Sequence, residues 1–69
     1  MKQLSGKDFA KIIEKKGWVL CRIQGSHHIY TKEGRREILS IPIHGNEPLK
    51  IGLIKHFMKI AGLDENDIV

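Results

Sequence analysis

Residues 18–31 read WVLCRIQGSHHIYT. Two runs rich in strand formers, WVLCRI and SHHIYT, stand on either side of a Gln-Gly break. That pattern is a strand, a tight reversal and a second strand. Downstream, KEGRR at 32–36 is a turn with Gly34 at its tip, and EILSIPI at 37–43 is a third strand. Pro42 cannot donate to a ladder, so it marks an edge strand or a strand end.

The flanks are helical. Ser5 is a good N-cap, with Asp8 three residues later in the place of a capping-box acid, and Leu4 set to staple onto Phe9. Phe9, Ile12 and Ile13 form one stripe, with the stem of Lys16 beside it, and Gly17 supplies the stop, so the spacing predicts a helix over 6–16. Leu53, Ile54, Phe57, Met58 and Ala61 repeat the pattern from about Lys50 to a stop at Gly62. The order is α-β-β-β-α, an α+β fold. Two one-sided helices are expected on one face of a three-stranded antiparallel sheet, with the other face open.

Alternation along the strands assigns the faces. Taking Leu39, Ile41 and Ile43, then Ile29, then Val19, Cys21 and Ile23 as core sends Ser40, Pro42, His44, His28, Tyr30 and Arg22 outward. This scheme needs an odd-numbered loop, such as Gln24-Gly25-Ser26, which sets Arg22 opposite His28. A two-residue loop is expected to pair Arg22 with His27 and break it.

The chain has 69 residues, enough for one domain with one small core; residues 64–69 read as an acidic, loosely held tail. One cysteine excludes an internal disulfide and a Cys-rich zinc site; Cys21 reads as a small buried hydrophobe. No apolar run approaches the ~20 residues of a membrane span, and the start lacks a signal-peptide core, so a cytoplasmic protein is expected. The net charge is +4, and the first 63 residues hold 12 basic and 5 acidic side chains. So much positive charge on a small body favours a polyanion such as RNA.

The expected open face offers a kit for RNA cleavage. An imidazole with its ordinary pKa of ~6.5 can take a proton from a ribose 2′-hydroxyl, which then attacks the adjacent phosphate. Arg22 can clamp that phosphate and Tyr30 can stack on a base. This chemistry needs no metal or cofactor, and no metal-ligand spacing is present. Gly25 serves backbone geometry; Ser26 either donates to phosphate or stabilises the turn. His44 is either the second acid–base group or a loop-orienting residue. Lys7, Lys11 and Lys15 are either a solvated face or a track for the phosphate backbone, while Lys32, Arg35 and Arg36 have a somewhat better claim to it.

Gly17-Trp18, then Arg22, GSHHIY at 25–30, Pro42, His44 and IGLIKHFMKIAGL at 51–63 together resemble the HicA-type (YcfA-like) toxins, the small mRNA interferases of toxin–antitoxin pairs. The resemblance runs from about Lys7 to Leu63, and Gly-Ser-x-His at Gly25, Ser26 and His28 is its most specific part. It departs at Gly52-Leu53, where the family helix often begins Gly-Thr, and at Ile60, where Gln is common. The resemblance implies a fold like the double-stranded-RNA-binding domain and ribosome-independent cleavage of mRNA, single-stranded or structured. It carries the catalytic role to His28 and implies a HicB-type antitoxin that masks the site. A non-catalytic RNA-binding module of the same fold is the alternative.

Overall fold

Ser5 begins the first helix as expected: its hydroxyl accepts from the Asp8 amide at 3.1 Å. In the computed structural model, which describes residues 3–68, α1 (Gly6–Lys15) is followed by β1 (Val19–Gln24), β2 (His27–Thr31), β3 (Leu39–Pro42) and α2 (Ile51–Ala61). A 3-10 turn, Glu65–Asp67, ends the described chain. The strands form one antiparallel sheet in the order β1-β2-β3, so β2 is central and Pro42 closes an edge strand. Among the described residues no helix is long and apolar enough to cross a membrane.

One core cluster holds the apolar stripes of both helices together with Tyr30, Leu39 and Ile41, which places both helices on the same side of the sheet. Phe9 and Phe57 meet there, with ring centroids 5.8 Å apart. Leu4 and Leu49 join the cluster, and the Leu49 amide donates to the Leu4 carbonyl at 2.7 Å, tying together the lead-ins to the two helices. At the start of α1 the backbone of Gly6 lies against the Pro42 carbonyl, so closely that a Cβ on residue 6 would stand 2.1 Å from that oxygen. Only glycine permits this approach.

The β1–β2 register reverses the expected faces. The hairpin closes through Gly25-Ser26, with Gln24 opposite His27, and Gly25 holds a φ of +60°. The loop is therefore two residues long, not three. Ile23 stands opposite His28, and a bulge at Cys21 then sets Arg22 opposite Ile29 and Leu20 opposite Tyr30. Across the other ladder His28 pairs with Ile41 and Tyr30 with Leu39. Paired residues share a face, so His28 and Tyr30 lie on the helix side and His27, Ile29 and Ser40 on the open side.

Three further expectations are corrected. Val19, Cys21 and Ile23 are not core: all of β1 is exposed, because it is an edge strand and the helices close over β2 and β3. Cys21, at the bulge, is accordingly an exposed thiol. Residues 64–68 are not loose: Asp64 and Asp67 make a reciprocal capping box, Ile68 is buried in the core, and Lys16 pairs with Asp67 at 2.6 Å.

Candidate functional site

His28 is half-buried and lines a cleft of about 260 Å³ between α1 and the sheet. Helical spacing builds one wall: Lys7, Lys11 and Glu14, at i, i+4 and i+7, project from one face of α1. Leu20, His28 and Tyr30 supply the strand side, and the alternation of β2 together with the bulge in β1 puts those three on a common face. The cleft is thus lined by two lysines, one glutamate and one histidine, residue types that can attract a phosphate and accept a proton.

Tyr30 is 2% exposed, and its hydroxyl donates to Glu14 Oε2 at 2.6 Å. It is not the exposed stacking platform that the alternation argument expected. Burial raises its pKa far above the ordinary phenol range, and the bond to the Glu14 carboxylate adds to the rise. The bond also fixes Glu14 at the cleft. Sequence reasoning missed Glu14; its signal was the seven-residue spacing from Lys7 along the same helix face.

The open face carries a different group. His27 is exposed, and its Nδ1 lies 3.1 Å from Ser40 Oγ, a bond that orients the ring. Arg22, opposite Ile29, shares that face, as expected for it. His28 and Arg22 are therefore on opposite sides of the sheet and do not meet.

A second cavity of about 300 Å³ lies beyond the end of β3, lined by Pro42, His44, Glu47, Pro48, Lys50 and Leu53 among others. It is the larger of the two, but it gathers one lysine where the His28 cleft gathers two. His44 lines this cavity, with Nε2 3.4 Å from Ser26 Oγ, so the structure joins Ser26 to His44, and His44 is not among the residues lining the His28 cleft.

Among the turn cations, Arg35 is engaged: its guanidinium donates to the Glu37 carboxylate at 3.1 Å and to the Ile60 carbonyl at the end of α2. The Glu37 backbone, and then Arg35, hold the Glu37 carboxyl below its usual range. Lys32 runs its stem close to Gly17, and Arg36 is exposed. Among the described residues no group of three or more His, Cys, Asp or Glu side chains is placed to hold a metal ion.

No curated protein sequence matches the chain. Residues 6–63, from the first residue of α1 to the residue after the left-handed stop of α2, match the family model for the HicA toxin of bacterial toxin–antitoxin systems, and the chain belongs to that family.

Proposed function

We propose that the chain is a toxin that arrests growth by cleaving mRNA, as a ribosome-independent and metal-independent endoribonuclease with His28 as general base. The observation that carries this reading is the shared cleft of His28, Lys7 and Lys11. The imidazole takes the 2′-hydroxyl proton of a ribose held in the cleft. The 2′ oxygen attacks the neighbouring phosphorus, and the bond from phosphorus to the 5′ oxygen of the next nucleotide breaks. That oxygen leaves with a proton drawn from water, and the products are a 2′,3′-cyclic phosphate and a 5′-hydroxyl. Lys7 and Lys11 stabilise the charge gathering on the phosphate. Lys32 and Arg36 extend the basic surface toward the turn, and a HicB-type antitoxin covers the cleft when the toxin is held inactive in the cytoplasm.

A second reading takes His27 as the base, and the bond from its Nδ1 to Ser40 favours it: the ring is oriented, exposed and on the same face as Arg22. One experiment separates the two. Purified protein is incubated with mRNA, with and without chelator, alongside His28→Ala and His27→Ala, with RNA affinity and thermal midpoint measured for each. His28→Ala is expected to lose cleavage by at least about 100-fold while still binding RNA, with His27→Ala within a few-fold of the parent. The reverse pattern transfers the role to His27. Cleavage by neither variant nor parent leaves the non-catalytic RNA-binding module as the correct reading.

A further inference from the structure

β1 is an edge of the sheet, six residues long and exposed throughout. Val19, Leu20 and Ile23 are 63%, 41% and 55% exposed. An edge strand presents unpaired N–H and C=O groups to any extended chain, and proteins usually guard such edges with short strands, prolines or lysines. The opposite edge, β3, is so guarded: it has four residues and ends at Pro42. β1 contains neither Pro nor Lys. Its bulge at Cys21 places Leu20 and Ile23, three apart in sequence, on the same face, beside Tyr30 and His28. The edge therefore pairs open backbone with an exposed apolar strip on the cleft side.

We propose that β1 is the docking edge for the antitoxin, which adds an extended segment to the sheet as a fourth strand. Charge selects this occupant over a second copy of the chain. Each copy carries +4, Arg22 projects from β1 itself, and Lys7 and Lys11 stand across the cleft from Leu20. Two such edges repel, whereas a segment with apolar residues over Leu20 and Ile23 and acidic residues toward Arg22 and the lysines is complementary. A toxin of a toxin–antitoxin system has an antitoxin as partner. Leu20 belongs both to the edge and to the cleft wall, so an added strand also closes the cleft beside His28; that last consequence rests on the cleft reading above.

The test uses the full chain, its purified antitoxin and the double variant Val19→Lys/Ile23→Lys, both exposed positions outside the cleft lining. Antitoxin affinity is measured by titration calorimetry and amide exchange of residues 19–24 is followed in the free and bound chain. The expected results are binding weakened by at least about 100-fold at an unchanged thermal midpoint, and strong protection of the β1 amides in the parent complex. Binding by the variant within a few-fold of the parent, or β1 amides that exchange equally fast free and bound, overturns the proposal. A toxin dimer in solution that the double variant dissolves overturns the choice of occupant. None of these readouts uses RNA, so they stand whether or not the chain proves to be a ribonuclease.

Discussion

Tyr30 donates its hydroxyl to Glu14 Oε2 at 2.6 Å, so a residue of the central strand, beneath the helices, is latched to the helix above it. The chain has one tyrosine, which makes this latch directly readable. Burial and then the Glu14 bond raise its pKa. For an acid whose folded pKa lies above its unfolded value, the stabilisation is complete below the unfolded value, ~10, and is lost as pH rises through the folded one. Tyrosinate absorbance is therefore expected to be absent from the folded protein at about pH 11, where an ordinary phenol has ionised, and to emerge together with unfolding. Tyr30→Phe should lower stability by about 1 kcal/mol near neutrality and remove that alkaline loss.

Gly6 sets two principles against each other. Alanine is the better helix former by about 1 kcal/mol, and Gly6 is the first residue of α1. Yet its Cβ would stand 2.1 Å from the Pro42 carbonyl oxygen and 3.1 Å from Ile43 Cγ1. The oxygen belongs to backbone and cannot swing aside as a side-chain tip can, so the contact wins. Gly6→Ala is expected to destabilise the protein by about 2–4 kcal/mol in a urea titration. A neutral or stabilising result would show that the lead-in to α1 shifts freely relative to β3.

The elements were legible in the sequence because each carried local signals. Ser5, Gly17 and Gly62 bound the two helices, and Leu39 and Ile41 alternate as a core-facing strand should. The faces of β1 and β2 were not legible, for two physical reasons. A bulge at Cys21 changes the alternation without leaving a mark in composition. In a central strand both faces are sheltered, so Ile29 is buried on the open side, where its cross-strand neighbours are Arg22 and Ser40, while amphipathic Tyr30 fills the core with its hydroxyl satisfied by Glu14. Reading Ile29 as the core residue inverted the pair of histidines. The cleft lysines were visible as a helical run, but their meeting with His28 depends on the two-residue loop that fixes the register.

Under the proposed function the cations separate by their present engagements. Lys7 and Lys11 line the cleft, whereas Arg35 is bound to Glu37 and the Ile60 carbonyl. RNA affinity should fall steeply with salt, and Lys7→Ala or Lys11→Ala should each reduce the log–log slope by about 0.7, the contribution of one single-strand phosphate contact. Arg35→Ala should leave the slope nearly unchanged and lower the thermal midpoint instead, because it frees the end of α2. Filter binding of a short mRNA fragment over a salt series, paired with thermal melts, distinguishes the two classes. A slope change for Arg35→Ala equal to that of the lysines would mean that its guanidinium leaves Ile60 to meet RNA.

The last described turn is held to α1 by Lys16 and Asp67, 2.6 Å apart, and it carries Ile68 into the core. The Lys16 bond, with the Asp64 backbone second, lowers the Asp67 pKa from 3.8, and the Asp67 bond raises that of Lys16 from 10.5. The lowered carboxyl contributes stability that is present above 3.8 and is lost as pH falls through its folded value; the raised ammonium contributes below 10.5 and loses that as pH rises through its own. The clasp is therefore whole between those limits and opens at both ends. Lys16 is exposed and Asp67 is half-buried at the surface, so the effect is local rather than global. Methyl resonances of Ile68 should hold steady across the neutral range and move toward free-chain positions below pH 3.8. In Asp67→Asn the acid transition should vanish, since the remaining amide does not titrate there. Persistence of that transition in Asp67→Asn would mean that the clasp between Lys16 and Asp67 is not what holds Ile68 in the core.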